Sequence, residues 1–322
     1  MKNTKTLTTA AIMVALAVTL GIILYILPIF QFALFIIGVP IVILGFKTDI
    51  KVQLLASLAL VMILMMFEPT YALMIGLVVL PLSILQGYCL HKDKKTSETI
   101  FISGMGMVFG FIAFLYSLNM VFNIDIINEL TVMFDQSIEQ VRLFYETRNT
   151  FSTTELNDIF ATISDYKTYL IMMMPASIIL ASSLTAILSF VISRKILLRM
   201  GESVDKRYFK DFRIQGQGRM VLMVVLGVIM LMSIVDKSNM EYYILNFMSI
   251  FTLVLQINGL AFVWYLSEKH PNRKSMRTVI IIILLLSSFL GAIALVIRFV
   301  LGILGFADLY VDFRKKIETR EQ

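Results

Sequence analysis

The sequence predicts an all-α polytopic membrane protein, on the basis of its apolar runs and its composition. Hydrophobic residues make up 58% of the 322 residues and charged residues only 16%, which lies outside the range of soluble domains. Crossing a bilayer core takes about 20 apolar residues in a helix, and only a helix or a closed barrel pairs its backbone polar groups there. Eight stretches are long enough, beginning at Leu7, Phe30, Val52, Tyr71, Ile100, Thr168, Met220 and Tyr243, and a further stretch begins near Thr278.

The first stretch is interpreted as a span that stays in the protein. Lys2 and Lys5 precede it, as in a signal peptide, but the apolar run over residues 7–27 is too long for a signal h-region. No polar cleavage region follows the run. We therefore expect eight full spans, followed by a C-terminal span or a short helical hairpin.

Positive charge predicts how the chain is oriented in the membrane. With the N-terminus in the cytoplasm, the short basic connections fall on the cytoplasmic side, where Lys and Arg are retained. We therefore expect a multi-pass membrane protein with a cytoplasmic N-terminus and with membrane lipid as its surroundings. The net charge of +6 is explained by this topology, and no separate basic face indicates nucleic-acid binding. The basic connections are Lys47 with Lys51, residues 92–95, residues 194–219 and residues 269–277.

The C-terminal stretch admits two interpretations. The apolar run over residues 279–306 is interrupted by glycines and by Arg298, and basic residues follow it. Either two short helices turn near residues 288–291 and return the tail to the cytoplasm, or one tilted span ends outside; the charge rule favours the hairpin. Arg298 is the one clearly intramembrane charge, and it is either an interfacial arginine or a contact for a substrate or partner.

The prolines predict an internal duplication within an N-terminal five-span unit, residues 1–122. Two pairs of prolines have the same twelve-residue spacing, which predicts parallel hairpins over residues 7–46 and 52–90. Many transporters use such a construction. Chance similarity between apolar helices is the alternative. The pairs are Pro28 with Pro40 and Pro69 with Pro81.

Residues 123–167 are predicted to form an extracytoplasmic hairpin of amphipathic helices. Apolar residues recur there at steps of three and four, and Ser152 with Glu155 fits a capping box that begins the second helix. Eight acids against three bases make the segment negative, which does not favour anionic lipid headgroups. The hairpin is either a lid or partner surface over the outer mouth, or a packed cap without a moving role.

Residues 168–322 are predicted to form a C-terminal membrane unit with a cytoplasmic loop at residues 199–219 and a basic cytoplasmic tail. The loop interleaves aromatic residues with Lys and Arg, a pattern typical of the headgroup region. It is interpreted as an interfacial segment, with a docking surface for a cytoplasmic partner as the alternative.

Recognisable catalytic and metal-binding motifs are missing from the sequence. No P-loop, HExxH, GxSxG or paired cysteine motif occurs, so we expect no enzyme activity, no metal and no cofactor. Amide side chains supply polarity within the apolar stretches, where they either contact a neutral or zwitterionic solute or hold helices together. The candidates for ligand or pore-lining residues are Gln86, Asn119, Gln256 and Asn258, together with Arg298.

The start of the first span carries a family resemblance. The residues Leu7-Thr8-Thr9-Ala10-Ala11 open it, and Ala11 and Ala15 lie four apart on one helix face, where small residues let helices approach closely. This opening resembles that of the substrate-binding S components of energy-coupling factor (ECF) transporters. The resemblance implies that Ala11 and Ala15 contact the transmembrane T component, which works with separate ATPases.

The chain as a whole resembles the YybS-like family of Firmicute integral membrane proteins, which is grouped with S-component-like folds. Two segments carry the match. The first ends at Arg213, and the chain then departs from the family pattern, in which relatives continue with Leu-Pro. The resemblance implies a location in the bacterial plasma membrane, a cytoplasmic tail and more spans than the S components proper have. The matching segments are Phe209-Lys210-Asp211-Phe212-Arg213 and the tail from Gly305-Phe306-Ala307-Asp308 to Asp312-Phe313-Arg314-Lys315.

These observations lead to two functional hypotheses. The first is an integral membrane substrate-binding or transport-associated subunit for small-solute uptake, energised by separate ATPase subunits, with an unidentified small-molecule ligand. The lack of ATP motifs, and of carboxylates within the first eight spans, suits that role. The second hypothesis is a non-transporting membrane scaffold that recruits protein partners.

Overall fold

A computed structural model describes most of the chain as helices joined by short turns. The described residues contain no strand, so the all-α fold class is confirmed for them. They fall into two compact units, Met1–Asp205 and Lys206–Gln322. The described residues are 2–27, 29, 33–148, 152–204, 227, 230–232, 234–235, 240–287, 291–311, 313–314 and 317.

The first unit is built around a fully buried helix, α2. Residues 37–45 of α2 are all buried, because α1, α3, α5 and α9 pack around it. A helix that is apolar on every face is typical of such a central position. The described helices of this unit are α1 (Lys2–Ile26), α2 (Phe35–Lys47), α3 (Ile50–Met65), α4 (Pro69–Met74), a π-helical turn (Ile75–Val79), α5 (Leu80–His91), α6 (Thr96–Phe122), α7 (Ile126–Arg148), α8 (Thr153–Met172) and α9 (Met174–Arg199).

The first unit extends past α7 and α8, to Asp205. Helix α9 packs against α2, α5 and α6, so it belongs with the N-terminal helices although it follows the hairpin in sequence. Helices α7 and α8 are therefore an insertion within the first unit.

Five described helices are long and apolar enough to cross a bilayer, and they correspond to the stretches predicted at Leu7, Tyr71, Ile100, Thr168 and Tyr243. Helices α2 and α3 contain only 13 and 16 residues. At about 1.5 Å per residue they fall short of a hydrocarbon core of about 30 Å. The stretch at Met220 and the loop at residues 199–219 lie largely outside the described residues. The five helices are Thr4–Ile26, Pro69–His91, Thr96–Phe122, Met174–Arg199 and Met240–Lys269.

Pro81 lies within the long helix over Pro69–His91 and follows an irregular turn. Pro81 has no N–H to donate to the Leu77 carbonyl, and the π-helical turn precedes it. Gly110 of α6 comes so close that a Cβ on it would lie 1.9 Å from the Leu77 carbonyl oxygen. Glycine at position 110 therefore allows α6 to pack against this turn.

Helix α8 begins with the predicted capping box. The Glu155 amide donates to the Ser152 hydroxyl at 3.3 Å, and the Ser152 amide donates to the Glu155 carboxylate at 2.9 Å. The capping box is therefore confirmed. Since the Ser152 amide and hydroxyl both donate to this carboxylate, they hold the pKa of Glu155 below its ordinary value.

Polar contacts fix α7 and α8 antiparallel to each other. Lys167 pairs with Asp135 at 2.6 Å, and the Arg142 guanidinium donates to the side-chain Oδ1 of Asn157 at 2.9 Å. Helix α7 buries none of its residues fully. The amphipathic hairpin predicted from the three- and four-residue periodicity is thus present, with Leu156 and Phe160 of α8 buried and the apolar residues of α7 half-buried or exposed.

In the second unit the described helices with clear bounds are α10 (Met240–Lys269), α11 (Arg273–Ser287) and α12 (Gly291–Val311), and the described residues before α10 are also helical. Helices α10 and α12 pack along each other in parallel. Leu255 lies beside Gly305 near the middle of α10, and the rings of Phe262 and Phe313 lie 6.2 Å apart further along both segments. The C-terminal apolar stretch is therefore divided between two helices, and the end of α12 lies beside the later turns of α10.

Candidate functional site

An apolar groove of about 880 Å³ lies between α1 and α3. Ala11 and Ala15, the predicted partner-binding residues, line one wall and are exposed. Ala56 and Ala59 of α3 line the other wall. Because alanine side chains are short, the two helices leave a channel between them along this length.

The opposite face of α1 is packed against the unit. Ala17 is fully buried. The Leu64 side chain lies so close to Gly21 that a Cβ on this glycine would be 3.2 Å from it. The Tyr71 hydroxyl donates to the Gly21 carbonyl at 2.9 Å. These contacts anchor the later turns of α1, so the groove belongs to a fixed helix pair.

The lining of the groove limits what chemistry it can perform. Its described residues include no charged side chain, and Thr6 and Thr19 are its hydroxyl groups. The Thr19 hydroxyl already donates to the Ala15 carbonyl at 2.9 Å. The lining offers no acid, base or thiol, so it suits an apolar occupant such as a helix or an acyl chain.

Gln53 on α3 forms a buried polar junction that was not among the predicted site residues. Its Nε2 donates to the carbonyls of Ile41 at 3.1 Å and Ser83 at 3.2 Å. Each carbonyl lies four residues before a glycine, Gly45 on α2 and Gly87 on α5. A Cβ on Gly45 would lie 2.3 Å from the carboxamide, and one on Gly87 would lie 2.6 Å from Nε2. Helices α2 and α5 thus occupy equivalent positions around Gln53.

Gln86, a predicted ligand or pore-lining residue, is fully buried among α5, α6 and α9. Its Nε2 donates to the Ala186 carbonyl at 3.1 Å and to the Ser103 hydroxyl at 3.4 Å. Its Oε1 accepts from the Ser189 hydroxyl at 2.8 Å. The carboxamide therefore has protein partners on two neighbouring helices, which is the arrangement expected of a residue that holds helices together.

Three other predicted residues lie in separate settings. Asn119 is exposed near the end of α6, and Gln256 is half-buried on α10. Arg298 is exposed on α12, at the surface of the second unit. An exposed position at this point of an apolar helix is compatible with the interfacial interpretation of Arg298.

Asn258 belongs to a buried polar cluster in the second unit. Its Nδ2 donates to the Gly305 carbonyl at 2.9 Å. The buried side chains of Asp308 and Arg314 form an ion pair at 3.0 Å. The Arg314 guanidinium also donates to the backbone carbonyl of Asn258 at 3.5 Å. The Arg314 guanidinium lies 5.6 Å from the centre of the Tyr265 ring. The cluster joins α10 to the end of α12.

Sequence reasoning missed Gln53, Asp308 and Arg314 as site residues. Asp308 and Arg314 do lie in the tail that carries the family resemblance, but six residues separate them, a spacing that does not place them on one helix face. Gln53 is visible as an amide in an apolar run, whereas the two glycines that make room for it lie on other helices. Only the folded arrangement shows these three residues as polar junctions.

Comparison with known proteins identifies a family and one relative. The sequence matches the family described as "Predicted membrane protein (DUF2232)" over residues 14–309. It is similar to the "Uncharacterized protein YybS" of Bacillus subtilis (strain 168), at 24% identity over 99% of this chain and 100% of that protein. The resemblance to a YybS-like family is thereby confirmed. No solved structure matches the chain.

Proposed function

We propose a function for this chain, which belongs to the DUF2232 family of predicted membrane proteins. It is an integral membrane substrate-binding or transport-associated subunit for small-solute uptake, energised by separate ATPase subunits in the manner of an ECF S component. The observation that supports the proposal is the exposure of Ala11 and Ala15 along the groove between α1 and α3.

A helix of another subunit is the occupant that this groove fits best. In lipid, apolar surface alone does not drive helices together, and close packing at small residues is a main source of association. Ala11 and Ala15 supply such a small-residue face, and it is left uncovered within the unit, whereas Ala17 on the packed side of α1 is fully buried. A transmembrane or coupling helix of a T component would fill the groove and cover these alanines.

The proposed topology keeps all eight predicted apolar segments in the plasma membrane, including the short helices α2 and α3, followed by a helical hairpin. The N-terminus lies on the cytoplasmic side. The parallel packing of α10 and α12 supports the hairpin, because the chain must reverse through α11 to return beside α10. Arg314 accordingly lies close to Tyr265, four residues before the end of α10 at Lys269. This arrangement supports a tail on the same membrane side as the connection that follows α10.

Cysteine labelling tests this topology. In a Cys89→Ser background, a membrane-impermeant maleimide should label Glu139→Cys of α7 in intact cells and label Thr4→Cys of α1 only after permeabilisation. Phe313→Cys distinguishes the two interpretations of the C-terminus: the hairpin predicts protection in intact cells, and a single tilted span predicts labelling.

Co-purification tests the proposed partner. The tagged protein is purified from its native membrane in mild detergent, beside an Ala11→Trp/Ala15→Trp variant, and mass spectrometry identifies the accompanying proteins. Both alanines are exposed, so the tryptophans should fill the groove without disturbing the core. An Ile12→Trp/Leu16→Trp variant is the matched control, because these residues are exposed on α1, four apart and outside the groove lining.

The proposal expects T-component and ATPase subunits with the parent and with the Ile12/Leu16 control, and their loss from the Ala11/Ala15 variant. A solute that such a subunit binds should also raise the unfolding temperature of the purified protein, since a ligand that binds only the folded state stabilises it. Absence of these subunits from the parent, or their equal retention by both variants, would contradict the proposal.

The exposed face of α7 favours a second candidate function, a non-transporting scaffold that recruits protein partners. None of the residues of α7 is fully buried, and Ile127 and Phe134, which lie seven apart on one helix face, remain 52% and 37% exposed. An uncovered apolar surface of this kind is typical of an interaction site. An Ile127→Glu/Phe134→Glu variant should then lose its co-purifying partners, while a Gln136→Glu/Gln140→Glu variant, which adds the same charge on another face of α7, should keep them.

A further inference from the structure

A second cavity lies at the end of the first unit where the start of α3 meets the ends of α2 and α5. Its volume is about 310 Å³, which is at the lower end of the range for small-ligand sites. Unlike the groove between α1 and α3, it is lined by charged and polar side chains, among them Asp49, Lys51, Gln53, His91 and Lys92. We call it the basic-end pocket.

Two lysines of the basic-end pocket carry charge that no acid among the described residues pairs with. Lys47 pairs with Glu202 at 3.0 Å, and Lys94 pairs with Glu98 at 3.7 Å. Lys51 and Lys92 have no such ion pair among the described residues, although both line the pocket. They therefore supply two positive charges at one mouth, a setting that attracts an anion.

The start of α3 adds backbone donors to these charges. Asp49 is the N-cap residue, but its carboxylate makes no capping hydrogen bond, and the first amides that bond within the helix are those of Val52 and Gln53. The amides of Ile50 and Lys51 thus have no helical acceptor, and the helix dipole adds positive potential at this end. Asp49 is the single acid among the lining residues, so the pocket is cationic with one carboxylate at its edge.

Gln53 adds an acceptor at the buried side of the pocket. The side chain is fully buried, and both protons of Nε2 are used by the carbonyls of Ile41 and Ser83. Its Oε1 has no hydrogen-bond partner within the described part of the chain. An unpaired buried carbonyl oxygen is costly, so a donor from a ligand or a water is expected there.

His91 has a fixed orientation at the rim. Its Nδ1 lies 2.8 Å from the Phe46 carbonyl oxygen, so Nδ1 carries the proton and donates. This bond ties the end of α5 to the end of α2. The rim that carries Lys92 is therefore held against the helix that carries Gly45, and the pocket is largely preformed.

We infer that the basic-end pocket binds a phosphate group whose substituent carries a hydroxyl or ammonium donor. Lys51, Lys92 and the free amides at the start of α3 would hold the phosphate. Asp49 and the Gln53 Oε1 would accept from the donor of the substituent. A volume of about 310 Å³ accommodates a phosphoethanolamine or glycerol phosphate group, but leaves acyl chains outside. The inference does not depend on the proposed uptake function.

Ligand-dependent unfolding of the full-length protein in detergent tests the inference. Glycerol 3-phosphate, phosphoethanolamine, inorganic phosphate and chloride are titrated at matched ionic strength, because screening alone alters exposed charges. The two phosphoesters should raise the unfolding temperature saturably. A Lys51→Gln/Lys92→Gln variant should weaken the apparent affinity by about tenfold or more. A Lys95→Gln variant, altered at an exposed lysine outside the pocket lining, should respond as the parent does.

A second variant tests the acceptors for the substituent separately from the phosphate site. Asp49→Asn should bind inorganic phosphate as the parent does but lose the preference for phosphoethanolamine. Equal stabilisation of the parent by inorganic phosphate and by both phosphoesters would overturn the assignment of Asp49 and Gln53 as acceptors. No saturable shift, or one unchanged in the Lys51→Gln/Lys92→Gln variant, would overturn the site. Circular dichroism and gel filtration of each variant establish that it is folded.

Mass spectrometry of lipid retained through purification identifies the source of the phosphate. Phospholipid held by the parent and by Lys95→Gln, but not by Lys51→Gln/Lys92→Gln, assigns the pocket to a lipid headgroup. Saturable stabilisation by soluble phosphoesters, with no difference in retained phospholipid among the three proteins, assigns it to a free phosphoester. Either result supports a phosphate site.

Discussion

Gly259 and Gly305 face each other where α10 and α12 cross. A Cβ on Gly259 would lie 2.9 Å from the amide nitrogen of Gly305, and a Cβ on Gly305 would lie 2.8 Å from the amide nitrogen of Gly259. The backbones of the two helices are therefore in direct contact, which brings the Asn258 side chain within reach of the Gly305 carbonyl. Small residues permit this approach in membranes, where close packing is a main source of helix association.

Gly305→Ala should destabilise the second unit, because its Cβ would lie only 1.9 Å from the Leu255 carbonyl oxygen. Overpacking of this kind costs about 1–3 kcal/mol, and here the obstacle is backbone. The loss should appear as a lower unfolding temperature in detergent. Gly302→Ala is the matched control on the same helix, since a Cβ there meets nothing within 4 Å and alanine is the better helix former. Equal unfolding temperatures for the two variants would contradict the crossing.

Much of the helical content was predictable from the sequence, for a physical reason. Apolar length alone identifies a helix that must satisfy its backbone in lipid, and the stretches at Leu7, Tyr71, Ile100 and Tyr243 correspond to long helices in the structure. Apolarity does not state how long the regular helix is, so the run at Phe30 became the 13-residue α2. A short helix that protein buries on all sides is as apolar as a membrane span, so apolarity alone does not distinguish the two.

Gln86→Leu should lower stability, because it removes the Ser189 and Ala186 contacts and leaves the Ser189 hydroxyl without its present acceptor. Hydrogen bonds of this kind between membrane helices contribute about 0.6–2 kcal/mol. Asn119→Leu should change the unfolding temperature little, since Asn119 is exposed. If Gln86→Leu instead left stability unchanged and removed a solute response, Gln86 would be a ligand contact and its predicted role would be correct.

The polar sites were less predictable than the helices, because their members come from different elements. The amides at positions 53 and 86 are equally visible in the sequence, yet Gln86 has protein partners on both ends of its carboxamide while Gln53 keeps an unpaired Oε1. That difference depends on which carbonyls and hydroxyls the neighbouring helices present. The Ala11 and Ala15 face was predictable because both residues lie on one helix, where spacing alone decides what they share.

The start of α8 should lose stability as the solution becomes acidic. The Ser152 amide and hydroxyl depress the pKa of Glu155 in the folded state, so the carboxylate stabilises the folded state above the pKa that it has in the unfolded chain. That contribution is lost as pH falls through the lower, folded-state pKa. Hydrogen exchange in the first turn of α8, corrected for the intrinsic pH dependence, measures the change.

Glu155→Gln should remove most of this pH dependence, and Asp158→Asn, at an exposed carboxylate one turn further along α8, should leave it in place. A parent protein whose α8 protection stays constant between neutral and acidic pH would show that the capping box contributes nothing measurable. If Asp158→Asn alone removed the pH dependence, the dependence would come from Asp158, and its assignment to Glu155 would be wrong.

The buried pair of Asp308 and Arg314 should behave as a coupled unit. The two side chains are 0% and 5% exposed, so removing either one leaves the other charge buried without its partner. Breaking a buried pair in this way costs about 3–5 kcal/mol, whereas replacing both partners by apolar residues of similar size is often neutral. Asp308→Leu and Arg314→Met should therefore each lower the unfolding temperature strongly, and the double variant should recover most of the loss.

The exposed pair of Lys94 and Glu98 is the control for this prediction. Exposed pairs contribute about 1 kcal/mol or less, so single variants of Lys94 or Glu98 should change the unfolding temperature little. Additive losses in the Asp308/Arg314 double variant would mean that each side chain acts through separate contacts, with the pair itself contributing little.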